Sequence, residues 1–142
     1  MFRLIYVSKA AAPLSADDVA QILASAQQNN RPQEVTGMLC FNQEQFLQCL
    51  EGQKRSVEAI YAKILSDPRH TEIQTLCYDD IDTRLFSDWA MAYVSLNEEN
   101  TRAILAKHHM EGKFAPRFLS EAEVLDLIQD FSKYLANTVV VG

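Results

Sequence analysis

Two side-chain amides, Asn30 and Gln48, occupy positions where side chains normally pack against one another. In the stretch QFLQCLE, residues two apart share one face of a strand, so Gln48 lies between Phe46 and Leu50 on an apolar face. A primary amide that is buried without partners costs about 1–3 kcal/mol. The fold itself could satisfy both amides, and Asn30 could simply end a helix. The alternative is that the two amides bind a ligand.

Three further side chains could contribute to the same site. Tyr6 lies on an apolar strand at the start of the chain, and Trp89 and Met91 are two residues apart in a later strand-like stretch, where we expect them to share one face. Each of them alone is equally consistent with ordinary core packing. Together with the amides they form an electron-rich, hydrogen-bonding wall rather than an acid–base site. Such a wall suits an aromatic redox cofactor.

The common catalytic motifs are absent from the sequence. It contains no G-x-G-x-x-G, Walker-type phosphate loop, G-x-S-x-G or H-E-x-x-H, and it has only four glycines. Neighbouring His108 and His109 are expected to be solvated. Acidic pairs such as Asp79-Asp80 and Glu98-Glu99 are typical of loops and helix starts. The three cysteines form no C-x-x-C pair, which favours small core hydrophobes over disulfides or metal ligands: Cys40, Cys49 and Cys77.

Length and charge limit the remaining possibilities. The 142 residues fit one domain, and the net charge of -6 with scattered Lys and Arg argues against direct nucleic-acid binding. No apolar run approaches the roughly 20 residues of a membrane span, and the N-terminus enters a strand without a signal peptide. We therefore expect a cytoplasmic protein that does not bind membranes and has no structural metal.

Periodicity predicts an α+β fold with the order β-α-β-β-α-β-β, followed by two helices. Predicted strands cover residues 2–8, 38–41, 45–51, 72–78 and 89–96. Predicted helices begin after Ser15 and end before Pro32, cover residues 54–66 and 98–109, and begin again at Ser120 with a capping box to Glu123. A short helical turn is expected at residues 84–86.

This order contains the split β-α-β unit of ferredoxin-like folds. In that plan the first and third strands pair, Tyr6 and Gln48 become cross-strand neighbours, and the first two helices share one face of the sheet. A flat ligand could bind between them. The two C-terminal helices should cover the other face, which carries Ile5 and Val7, and their surplus apolar surface could serve an oligomer or a partner. Residues 1–96 and 97–142 are thus expected to act as a sensor and a helical extension.

Several motifs with this spacing resemble the BLUF domain, a blue-light sensor that uses flavin. They are RLIYVS, NN followed by TGML, FLQCLEG, DPRH and WAM, and the resemblance covers residues 1–96. The two C-terminal helices resemble those of short BLUF proteins more loosely. The resemblance implies that this chain is a photoreceptor for signal transduction and not an enzyme. The resemblance implies a flavin cofactor, with FAD favoured and FMN or riboflavin as alternatives. It also implies that the signal passes through a homo-oligomer or a separate downstream protein.

The resemblance also implies roles for individual residues. Tyr6 is the electron donor to the photoexcited flavin, Gln48 bridges Tyr6 to the ring's N5 and O4 edge, and Asn30 with neighbouring Asn29 holds the O4 and N3 edge. Light leaves the flavin oxidised with the Gln48 amide rearranged, which perturbs the strand of Trp89 and Met91. The residues near the ribityl and phosphate end are Asp67, Arg69 and His70.

Two other functions remain open from the residues alone. A flavin-dependent redox enzyme would need a substrate opening and an acid or base beside the ring, whereas the residues around Gln48 are amides, sulfur and aromatics. A ferredoxin-like module that binds a small colourless ligand would purify without colour. The visible spectrum of the purified protein separates these functions from the photoreceptor.

Overall fold

The fold is known from a computed structural model that describes residues 1–110 and 112–137. The strands are β1 (Phe2–Ala10), β2 (Thr36–Phe41), β3 (Gln45–Gly52), β4 (His70–Asp80) and β5 (Ala92–Ser95). The helices are α1 (Ala16–Asn30), α2 (Lys54–Leu65), α3 (Glu99–Lys107) and α4 (Glu121–Ala136). Single turns of 3₁₀ helix cover Arg31–Gln33 and Pro116–Phe118.

The five strands form one sheet in the order β4-β1-β3-β2-β5. All neighbouring strands are antiparallel except β2 and β5, which are parallel. Strand β1 lies inside the sheet because both of its faces carry apolar side chains, which fits a strand covered on both sides. The register places Tyr6 directly opposite Gln48, so the predicted pairing of the first and third strands is confirmed.

Each face of the sheet carries its own hydrophobic core. The core under α1 and α2 contains Leu4, Tyr6 and Leu50, whereas the core under α3 and α4 contains Ile5 and Val7, as the alternation along β1 requires. We call these the near face and the far face. The predicted α+β, ferredoxin-like fold with two helices on each face is confirmed.

Helices α1 and α4 both begin with a reciprocal capping box. The Ser15 hydroxyl accepts from the backbone N–H of Asp18 while the Asp18 carboxylate accepts from the backbone N–H of Ser15. Ser120 and Glu123 repeat the arrangement at the start of α4, as predicted. These caps satisfy backbone donors that would otherwise lack a partner and so fix where each helix begins.

Several predicted bounds and one predicted helical turn are wrong. Strands β1, β2 and β4 are each longer than predicted. Strand β5 begins at Ala92 rather than at residue 89, and residues 84–86 contain bends but no helical turn. The segment leading into β5 is irregular because several of its backbone groups bond to side chains from other elements rather than to a neighbouring strand. Helix α3 ends at Lys107, and His109 adopts a left-handed conformation with φ of 62°.

Of the expectations for single residues, the one for His108 is wrong and the one for the cysteines is confirmed. His108 is largely buried and contacts Asp130, with 2.6 Å between Nε2 and Oδ2, so the expectation that it is solvated is wrong. The three cysteines are free and buried, in agreement with their predicted packing role. Among the residues that the structure describes, no helix combines the length and apolar character needed to cross a bilayer.

Candidate functional site

A cavity of about 130 Å³ lies between α1 and α2, above the near face of the sheet. Its walls are apolar on both sides, with Ile22 and Ala26 from α1 and Ile60 and Ile64 from α2. Its polar lining consists of Ser25, Asn29, Asn30, Gln48, Lys63, Asp67, Arg69 and His70. Two apolar walls with hydrogen-bonding groups at the edge suit a flat heteroaromatic ring.

Gln48 connects two side chains beneath this cavity. The fully buried hydroxyl of Tyr6 donates a hydrogen bond to Gln48 Oε1, and Gln48 Nε2 donates to Met91 Sδ at 3.4 Å. Burial raises the pKa of Tyr6 far above its usual value, with smaller contributions from Tyr61 and Asp67. Tyr6 therefore keeps its proton and donates it in the hydrogen bond to Gln48.

Asn30 offers an unused acceptor in the cavity lining. Its Nδ2 donates to the carbonyl oxygen of Ala90 at 2.7 Å, while its buried Oδ1 has no hydrogen-bond partner. A buried acceptor without a partner costs free energy that a ligand N–H can recover. This side chain fits a flavin ring, which presents an N–H at its edge, and it would hold that edge at the end of α1.

Asp67, Arg69 and His70 lie at one end of the cavity, where the chain passes from α2 into β4. Arg69 Nη2 lies 2.7 Å from Asp67 Oδ2, and the hydrogen bonds from Arg69 lower the pKa of Asp67. Burial lowers the pKa of His70, whose Nδ1 lies 2.8 Å from Ser8 Oγ. The Arg69 guanidinium thus supplies a positive charge beside the apolar slot.

Trp89 and Met91 lie on opposite faces of the sheet. Met91 is fully buried in the near-face core, whereas Trp89 packs against the far-face core. The prediction that they share a strand face is wrong, because both residues precede β5 and the alternation of an extended strand does not apply to them. Of the two, the structure brings only Met91 to Gln48.

Three residues near the site were not foreseen from the sequence. Gln27 donates from Nε2 to the carbonyl oxygen of Met91 at 3.1 Å, Ser8 contacts His70, and the Tyr61 ring lies 5.4 Å from the ring of Tyr6. Two of them had a usable signal: Gln27 precedes Asn30 by three residues on one helix face, and Ser8 follows Tyr6 on the same strand face.

On the far face, three groups able to bind a metal lie close together. Ligand atoms of Cys77, Asp79 and Glu121 are within 4.8 Å of one another, with the cysteine buried and both acids exposed. The sequence interpretation did not foresee this cluster. It is separated from the cavity by the sheet and contributes nothing to the site.

Comparison with known proteins identifies relatives of this arrangement. A family model described as "BLUF: Sensors of blue-light using FAD" matches residues 1–92. The photoactivated adenylate cyclase subunit beta of Euglena gracilis is 36% identical over 89 residues, which are 62% of this chain and 10% of that protein. The chain therefore spans about a tenth of the length of that curated relative.

Solved structures share the fold over almost the whole chain. The structure "BlsA photo-activated state" has a TM-score of 0.81 and 27% identity, with 99% of this chain and 98% of that chain covered. "Klebsiella pneumoniae BlrP1 with FMN and cyclic diGMP, no metal ions" has a TM-score of 0.68 and 28% identity, with coverage of 94% and 36%. The similarity to BlsA extends through the two C-terminal helices.

Proposed function

The chain belongs to the BLUF family of blue-light sensors that use a flavin, and we propose that Tyr6, Gln48 and Met91 carry its light response. The observation that supports these roles is the continuous chain of hydrogen bonds from the Tyr6 hydroxyl through the Gln48 amide to Met91 Sδ. Its central member, Gln48, lines the cavity between α1 and α2.

A flavin held in this cavity would supply the light absorption and, in its excited state, the oxidising power. Tyr6 is an oxidisable ring with a proton-transfer partner, because its hydroxyl already donates to Gln48, which lines the cavity. Loss of an electron makes the Tyr6 phenol strongly acidic, so its proton moves along this hydrogen bond to Gln48. When the electron and the proton have returned to Tyr6, the Gln48 amide is left turned or tautomerised.

Turning the amide exchanges the groups that face its neighbours. In the resting arrangement Gln48 Oε1 faces Tyr6 and Nε2 faces Met91. After the exchange an N–H faces Tyr6, and Met91 Sδ loses its donor. A hydrogen bond from the amide to a bound flavin would change too, which would shift the absorption to the red, while the lost donor loosens Met91. The switch therefore changes hydrogen bonds and leaves the covalent structure intact.

Asn30 and the residues at the cavity end are proposed to hold the cofactor. Asn30 Oδ1 accepts from the ring N–H, Asn29 lies beside it, and Arg69, oriented by Asp67, binds the phosphate end, with His70 packed nearby. Arg69 favours a phosphate-bearing flavin over riboflavin. We propose FAD as the cofactor, and FMN would use the same groups.

BLUF domains are sensory modules, and we propose that this chain acts without catalysis of its own. Residues 1–96 sense light and residues 97–142 pass the signal on. Helices α3 and α4 cover the far face of the sheet and reach the segment before β5 through Ser132 Oγ, which lies 3.4 Å from the carbonyl oxygen of Leu85. The output is a change in self-association or in binding of a separate signalling protein in the cytoplasm.

Two tyrosines allow a matched test of this mechanism. Tyr6→Phe removes the hydroxyl that bonds Gln48, whereas Tyr61→Phe removes one that contacts Thr75 on the surface and keeps the ring packed against Tyr6. We expect both variants to bind flavin, and only Tyr6→Phe to lose the reversible red shift after blue light. A normal red shift in Tyr6→Phe would refute the role of Tyr6.

A further inference from the structure

Glu51 is a carboxylate buried completely within the far face of the sheet, three residues after Gln48 on β3. Its charge is balanced by Arg3 from β1, with 2.8 Å between Nη2 and Oε2. The remaining acceptor capacity binds two backbone amides. The N–H of Leu85 donates to Oε1 and Oε2 at 3.0 and 3.1 Å, and the N–H of Phe86 donates to Oε1 at 2.9 Å.

Those two amides begin the crossing segment, which we define as residues 85–91. It runs from Phe86, which is buried in the far-face core, to Met91, which is buried in the near-face core against Gln48. Its last residues are held by three bonds from the near side: Asn30 to the Ala90 carbonyl, Gln27 to the Met91 carbonyl, and the Gly37 N–H to the Trp89 carbonyl.

The two ends of the crossing segment therefore have different anchors. The end at Met91 is bound by neutral side-chain amides and a backbone N–H, and the Met91 sulfur also accepts from Gln48, a bond that a turn of that amide removes. The end at Phe86 is bound by an ionised carboxylate, whose hydrogen bonds are roughly twice as strong as neutral ones. A short segment fixed firmly at one end transmits a displacement of the other end instead of relaxing.

We propose that Glu51 is a positioning residue for the light response, because it fixes the crossing segment so that Met91 is held against Gln48. The effect of Glu51 on the photocycle rests on the proposed function, whereas the anchoring of the crossing segment by Glu51 does not. Glu51 acts from the opposite face of the sheet and touches neither the cavity nor Tyr6.

Two double variants separate the effect of the acceptor oxygen at position 51 from the effect of the Glu51 charge. Arg3→Met with Glu51→Gln removes both charges but keeps an oxygen for the amides of Leu85 and Phe86. Arg3→Met with Glu51→Met has a similar shape and no acceptor. Replacement of a buried ion pair by residues of similar volume is often tolerated, so we expect both proteins to fold, with the Met double variant less stable because two backbone amides lose their acceptor.

Amide hydrogen exchange measures the anchoring directly in the full chain. We expect slow exchange of the Leu85 and Phe86 amides in the wild type and in the Gln double variant, and exchange about tenfold or more faster in the Met double variant. The only tryptophan of the chain, Trp89, lies in the segment and reports the same change as increased acrylamide quenching. Free exchange of both amides in the wild type would overturn the proposal, whichever variants fold.

The rate of dark recovery after blue light tests the consequence. With Met91 held less firmly the Gln48 amide turns more easily, so recovery should be about fivefold or more faster in the Met double variant and near the wild-type rate in the Gln double variant. Equal recovery in both variants, with exchange different, would overturn the positioning role. If none of the proteins responds to light, the proposed function fails, while exchange still decides whether Glu51 anchors the segment.

Discussion

Replacement of Asn30 by alanine separates its two roles, because one end of the amide serves the fold and the other the cofactor. The change removes the Nδ2 bond to the Ala90 carbonyl and leaves that partly buried oxygen without a donor. The free energy of unfolding of the flavin-free protein should fall by about 1–3 kcal/mol. For a chain of this length, that corresponds to a fall in Tm of roughly 3–10 °C.

The same substitution should weaken flavin binding independently of its effect on stability. Oδ1 is buried without a partner in the protein alone, so its hydrogen bond forms only with the ligand. Its loss should cost about 0.5–1.5 kcal/mol, which is roughly a two- to twelvefold increase in Kd.

The assays are thermal unfolding of the flavin-free protein and a titration with flavin followed by fluorescence. Gln28→Ala is the matched control, because Gln28 is an exposed neighbour in the last turn of α1 and does not line the cavity. We expect it to change neither quantity measurably. An Asn30→Ala protein with the same Kd as this control would refute the assignment of Oδ1 to the flavin edge.

Four further substitutions, one of them a control, test other parts of the account. Gly37→Ala would place a Cβ 1.9 Å from the carbonyl oxygen of Cys49 and should destabilise the protein by about 1–3 kcal/mol or more in denaturant unfolding, whereas Gly52→Ala, whose nearest contact is 3.3 Å, should have a much smaller effect. Arg69→Met should weaken binding of FAD or FMN by about tenfold or more and leave riboflavin binding nearly unchanged. Equal losses of affinity for all three flavins would contradict the role of Arg69 at the phosphate end. Burial lowers the pKa of His70 in the folded protein, so the unfolded chain binds the proton more readily. The contribution of neutral His70 to stability is therefore complete above the unfolded pKa of about 6.5. It declines as the pH falls from there towards the folded pKa. His70→Gln should flatten that part of the stability profile, and an unchanged slope would show that His70 does not cause it.

The pairing at the centre of the site was predictable from the sequence. Alternation in β1 and β3 fixed which side chains share a face, and the split β-α-β plan made Tyr6 and Gln48 neighbours, as the register confirms. Asn30 was identifiable as a helix-end amide. Its bond to Ala90 was not, since the partner is a backbone oxygen 60 residues further along the chain.

The crossing segment could not be predicted, for a physical reason. Periodicity reports which face of a regular element is apolar, whereas residues 85–91 follow no regular pattern and are held by side chains from β3, α1 and α4. The expectation that Trp89 and Met91 share a face failed because it assumed a strand there. The role of Glu51 likewise had no sequence signal, because its partners are Arg3 on another strand and the backbone amides of Leu85 and Phe86.

The central claim is that light changes the hydrogen bonds around Gln48 while the flavin returns to its oxidised form. The most direct test is the visible absorption spectrum of the purified protein, recorded in darkness, after blue light and during dark recovery. The account predicts an oxidised flavin band that moves to the red and returns in the dark, with its amplitude preserved. A flavin band that ignores light and bleaches only with added reductant would contradict it, as would a protein without any flavin band.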